Sequence, residues 1–144
     1  MEPCPARLTG GDLTQARLEE AKSTVISKKC DLVLNSSAVE VYGNTVTDCT
    51  NGIGGTQADR GTDARTGLPY NLKNLYVHNN TIPQQTGFAG GIAKSSTFDD
   101  SVCTSWGNHF QNNSYSLSDT RYPYFYWLDQ KWTHAQWQMY ASEP

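Results

Sequence analysis

The sequence predicts an all-β solenoid of short parallel strands, on three observations. Charged residues make up 17% of the chain while Asn, Thr, Ser and Gly abound, which suits strands joined by many turns and fits a helical bundle poorly. One phrase recurs: "VEVYGNTVTDCTNGIGG" at 39–55 returns as "LYVHNNTIPQQTGFAGGI" at 75–92 and, more loosely, as "CTSWGNHFQNN" at 103–113. Within each phrase apolar residues alternate with polar ones, the period of a strand with one face in and one face out. Three short parallel strands per turn, with unequal loops, make a coil of a solenoid.

The elements follow in chain order. Residues 12–24, "DLTQARLEEAKST", read as a short helix with Asp12 as N-cap and a thin apolar stripe of Leu13, Ala16 and Leu18. A solenoid has open ends, so segment 1–30 is expected to lie as a capping helix over the first coil; the other reading is a partner-binding helix. The coils are expected over 31–119. Aligning the three phrases on Asn44, Asn80 and Asn108 places Val46, Ile82 and Phe110 two residues later, facing in. Val39, Leu75 and Cys103 then form an inward file five residues earlier. Each asparagine sits at a corner between two strands, where it tolerates the left-handed conformation and its amide bonds local backbone. Stacked about 4.8 Å apart, the three amides are expected to form a buried ladder.

A third strand per coil is expected at Ile53 and Ile92, with "LVLN" (32–35) one coil before and "SYSL" (114–117) one coil after. The unequal gaps between phrases imply inserted loops, "TQADRGTDARTGLPYN" at 56–71 and "SSTFDD" at 95–100. That gives about four coils. The tail 120–144, "TRYPYFYWLDQKWTHAQWQMY" and beyond, reads as one last strand and a short helical segment near 132–140, an aromatic C-terminal cap.

These phrases and the aromatic tail resemble right-handed parallel β-helix proteins of the pectate-lyase-like class, over residues 31–140. The resemblance implies that fold, an extracellular or cell-surface location, and action on acidic polysaccharide. In such enzymes carboxylates hold calcium, and an Arg or Lys removes the proton beside the uronate carboxyl. Carried onto this chain, Asp59, Asp63, Asp99 and Asp100 become the candidate calcium ligands, and Arg60, Arg65 and Lys94 the candidate bases. Calcium takes 6–8 oxygens, and the two loops would lie side by side on stacked coils. Abstraction needs a base whose pKa is lowered by nearby cations. The same loop, "ADRGTDAR", also reads as a solvated turn with local ion pairs worth at most about 1 kcal/mol each, and the charge pattern favours that reading. Asp99 and Asp100 also suit a hydrolase of the polygalacturonase group, but the NTD, His-Gly and RIK motifs of that group are absent.

A second site is written into the outward positions. Tyr42, His78 and Trp106 are expected to form a vertical strip, one residue per coil, on which sugar rings stack. The alternative is that the tail lies over the strip and buries it.

Composition sets further bounds. A net charge of −3 offers no electrostatic case for nucleic acid. No apolar run approaches the roughly 20 residues of a membrane span. No signal peptide is visible in "MEPCPARLTGG", which lacks an apolar h-region. Four cysteines without CxxC spacing, and no two histidines at ligand spacing, argue against a zinc site. Two classes of function stand together: a calcium-dependent polysaccharide lyase, and a non-catalytic glycan-binding or structural module of a larger surface protein.

Overall fold

The computed structural model describes residues 8–9, 25–27, 32–47, 49, 51–83 and 87–140. The helix expected over 12–24 lies outside them. Among the described residues the strands are β1 (Leu8–Thr9), β2 (Val25–Ser27), β3 (Leu32–Leu34), β4 (Glu40–Tyr42), β5 (Thr45–Thr47), β6 (Ile53–Gln57), β7 (Tyr76–His78), β8 (Thr81–Pro83) and β9 (Gly90–Lys94). A short helix α1 (Ser101–Thr104) follows, then β10 (His109–Gln111), β11 (Ser114–Ser116), β12 (Phe125–Trp127), β13 (Gln130–Trp132) and helix α2 (His134–Tyr140). None of these helices is long and apolar enough to cross a membrane.

The strands form three small sheets, ordered β1-β3-β6-β9-β12-β13, β10-β7-β4 and β11-β8-β5-β2. This corrects the expected right-handed parallel β-helix of about four coils. The sheets hold six, three and four strands, and the largest is mixed, because β12 pairs parallel with β9 but antiparallel with β13. The reason is local. Leu128 and Asp129 both take positive φ, 53° and 57°, a two-residue turn that folds the chain straight back on itself. A second reversal interrupts the segment after β6, where Thr62 bridges antiparallel to Pro69. "SYSL" is also reassigned. Ser114–Ser116 pairs with β8, and the strand beside β9 is the aromatic β12.

The three-stranded sheet positions everything that follows. Val41, Val77 and Phe110 stand in register across β4, β7 and β10, all buried. On the far side of the core, Phe110 meets Trp137 of α2 edge-on at 5.0 Å, and Trp137 also packs on Phe125 and Trp127. The aromatic tail therefore fills the core behind this sheet.

That register also moves one asparagine. Phe110 opposite Val77 puts Asn113, not Asn108, in line with Asn80. The ladder runs Asn44–Asn80–Asn113. The Asn80 side-chain oxygen accepts the backbone and side-chain N–H of Asn44, both at 3.0 Å, and Asn113 accepts the same pair from Asn80 at 3.0 and 2.9 Å. Each rung is preceded by a left-handed residue: Gly43 (φ 69°), Asn79 (φ 54°) and Asn112 (φ 54°). Asn108 occupies another corner, in file with Leu75, where it accepts the Leu75 N–H at 2.9 Å and donates to Leu72 and Val102 carbonyls at 2.7 and 2.8 Å. That corner also begins with left-handed residues, Asn74 (φ 55°) and Gly107 (φ 76°). "GN" at 107–108 thus imitates "GN" at 43–44 from a different corner. Cys103 leaves the inward file with it. It lies in α1, buried and free.

Candidate functional site

The two charged loops come first. In the segment after β6, Asp63 accepts the N–H of Arg65 at 2.7 Å and of Thr66 at 3.0 Å. These backbone bonds hold its carboxyl below the usual range. Asp59 accepts the Gly61 N–H at 3.2 Å. After β9, Asp99 accepts from Ser101, whose hydroxyl and N–H lower its pKa. Each of these carboxylates is occupied by its own turn. Among the described residues, no group of three or more His, Cys, Asp or Glu is arranged to hold a metal ion. Arg60 and Arg65 are exposed. Lys94 is not: its side chain is 5% exposed, with its ammonium bonded to Asp129, 3.0 Å from the Phe98 carbonyl and 3.6 Å from Asp100. The Asp129 carboxylate, above all, raises its pKa. A base that must lose its proton needs the opposite shift.

The outward face of β4, β7 and β10 is built differently. Alternation that sends Val41, Val77 and Phe110 inward sends Glu40 and Tyr42, Tyr76 and His78, and His109 and Gln111 outward. Their registers form two files, Glu40–Tyr76–His109 and Tyr42–His78–Gln111. Upstream, across the corner at Asn74 and Gly107, Ser37 bridges Lys73, and the Asn74 N–H donates to the Trp106 carbonyl, so Trp106 stands beside Lys73. The Lys73 ammonium lies 4.8 Å from the centre of the Trp106 ring, and Phe98 meets that ring edge-on at 6.2 Å.

Four rings on this face form one stack. Tyr42 lies 4.9 Å from His78 at 7°, His78 lies 4.0 Å from Tyr76 at 22°, and Tyr76 lies 4.2 Å from His109 at 26°. His78 and Tyr76 thus have both faces covered. His78 is 12% exposed at its side chain. Its Nε2 lies 2.7 Å from Glu40 Oε1, and the Asn79 amide reaches its Nδ1 at 2.8 Å. An amide N–H donor at Nδ1 leaves the proton on Nε2, donated to Glu40. The Tyr76 hydroxyl donates to Gln111 Oε1 at 2.7 Å. His109 Nδ1 lies 3.1 Å from the Gly107 carbonyl.

Of the strip expected from sequence, Tyr42 and His78 share a file and are in contact, while Gln111 takes the place expected for Trp106. Tyr76, His109 and Glu40 were missed. Alternation in "HFQNN", framed on Phe110 rather than on Asn108, would have found His109 and Gln111.

No family model, no curated protein and no solved structure matches this chain.

Proposed function

We propose that the chain is a non-catalytic module that binds acidic polysaccharide outside the cell or at its surface, through the outward face of β4, β7 and β10. The observation that carries this reading is the four-ring stack over a buried floor, with the Lys73 ammonium over the Trp106 ring just before the corner that leads into these strands. Lys73 makes no ion pair among the described residues, and Glu40, the acid on this face, is already bonded to His78. The face and the adjoining Lys73–Trp106 pair together offer amide and indole donors and one cation without an ion pair among the described residues, which suits hydroxyl-rich chains bearing negative charge. The sequence resemblance to pectate-lyase-like proteins supports the same ligand class. The lyase reading has less support, since Lys94 is held protonated and the loop aspartates serve their own turns.

Calorimetry and affinity electrophoresis with polygalacturonate, against uncharged dextran, test the proposal, with and without calcium. Binding to the acidic polymer is expected. Tyr76→Ala, which removes the middle of the stack, is expected to weaken it about tenfold, about 1.4 kcal/mol, with an unchanged circular dichroism spectrum. Absorbance of unsaturated products appearing during incubation would overturn the non-catalytic reading.

A further inference from the structure

We infer that His109 makes this binding proton-dependent, so that the face takes an oxyanion-bearing sugar more tightly as pH falls. The inference rests on the binding reading above and assigns the regulation of the same site.

The geometry singles out His109 from the other ionisable groups of the face. A carbonyl oxygen only accepts, so the contact between His109 Nδ1 and Gly107 O places the ring's proton on Nδ1. In the neutral ring Nε2 then carries a lone pair, and it has no partner among the described residues. A lone pair facing a carboxylate or sulfate repels it. Protonation turns Nε2 into a charged donor while the Nδ1–H bond to Gly107 stays as it is, so nothing has to rearrange. His78 differs, since both its nitrogens are already engaged, by Glu40 and by Asn79.

The neighbouring groups leave His109 without a competing acid. His109 faces Tyr76 of β7 through its ring, and Gln111 on its own strand has its oxygen occupied by the Tyr76 hydroxyl. Glu40, in the same file on β4, is bonded to His78. Lys73, over the Trp106 ring, supplies a fixed positive charge before the Asn74 and Gly107 corner that leads into β7 and β10. No carboxylate of the described residues pairs with His109, so the ligand's oxyanion would be its first. By linkage, an anion that prefers protonated His109 binds more tightly where the proton is available, and raises the proton affinity of His109 in return.

Titration calorimetry decides it, with oligogalacturonate and dextran sulfate as the two oxyanion sources and uncharged dextran as control. Measurements at about pH 5.5 and about pH 8, at constant ionic strength, bracket histidine ionisation while leaving both ligands charged. Both anionic ligands are expected to bind roughly three- to tenfold more tightly at the lower pH, with net proton uptake, while dextran shows no such change. In His109→Gln the pH effect is expected to vanish with binding still measurable; in His78→Gln it is expected to persist. Equal affinity at the two pH values, a pH effect surviving in His109→Gln, or one confined to oligogalacturonate would overturn the role of His109 while leaving polysaccharide binding in place. Failure of every polymer to bind at either pH would overturn the site itself.

Discussion

In the segment after β6, Asp63 accepts two N–H groups of its own turn; on the face of β4, β7 and β10, His109 keeps one nitrogen without a partner among the described residues. The two regions are both rich in ionisable groups, yet they stand in different relation to solvent. The loop carboxylates of Asp59, Asp63 and Asp99 accept bonds from backbone two or three residues away, so they stabilise turns and leave little for a ligand. The face charges stand on strands whose backbone bonds are already made by neighbours, so their side chains are released from local duty. What separates a candidate site from a charged loop here is the remaining hydrogen-bonding capacity, not the formal charge.

The comparison breaks first at the floor of the face. Phe110 is fully buried, between Val77 in the sheet and Trp137 beneath it. Phe110→Ala is expected to cost about 3–5 kcal/mol, the range for a large aromatic removed from a packed core. Urea denaturation measures the loss. Binding should fall with it at temperatures where the variant is still folded, because β10 carries His109 and Gln111 on the opposite side of the same backbone. An equal loss of stability with binding untouched would separate the face from its floor.

The ladder comes next. Asn80→Ala removes the side-chain oxygen that accepts the Asn44 backbone and side-chain N–H, the donor to the Val41 carbonyl and one of the two N–H donors to the Asn113 oxygen, while the Asn80 backbone N–H to Asn113 remains. The expected cost is about 2–3 kcal/mol, because buried groups are stranded rather than returned to water. Asn108→Ala should be of similar size, though it stabilises a different corner. Thermal unfolding of both, and of the pair, would show additive losses if the two corners are independent.

These two sets of residues also show what was legible in the sequence. Alternation located β4, β7 and the burial of Val41, Val77 and Phe110, because period two is a property of the strand itself. The corner asparagines were visible for the same reason. The register of the third phrase was not, because two corners both begin with a left-handed residue and both carry "GN" or "NN". Choosing the wrong one shifted the frame by five residues and exchanged Gln111 for Trp106. The uniform solenoid failed at Leu128 and Asp129, where a leucine stands at the first left-handed position and Asp129 is not followed by the glycine that marks a hairpin, so the antiparallel return of β13 left little signal. The loop acids were legible as residues but not as turn caps, since an acid's partner two or three residues away is a matter of backbone conformation.

Lys94 sharpens the loop side. Its pKa is raised above 10.5, chiefly by Asp129. A group whose folded pKa is raised contributes stability that is complete below its unfolded value and lost as pH rises through the folded one. Lys94→Met should therefore be less stable than the parent at neutral pH, and the two should converge above pH 10.5. Paired melting curves from neutral to strongly alkaline pH test this. A constant difference across the range would mean the ammonium's bonds to Asp129 and Phe98 contribute nothing beyond packing of the side chain.

The smallest effect is expected where the sequence placed the most chemistry. Asp99 is exposed and its carboxyl is held below its ordinary 3.8 by Ser101. Its contribution is therefore present above that value and disappears as pH falls through the lower folded one. Asp99→Asn with Asp100→Asn should leave the melting temperature at neutral pH nearly unchanged. The double variant removes the weak 3.6 Å contact to Lys94, but Asp129 and the Phe98 carbonyl remain on the ammonium. Polygalacturonate affinity should also be unchanged, because the strands that carry the face belong to another sheet. Calorimetric titration with calcium supplies the counter-test. A calcium heat in the parent chain that disappears in the double variant would restore the loops as the functional centre, and the outward face would then be one wall of a larger site rather than the site itself.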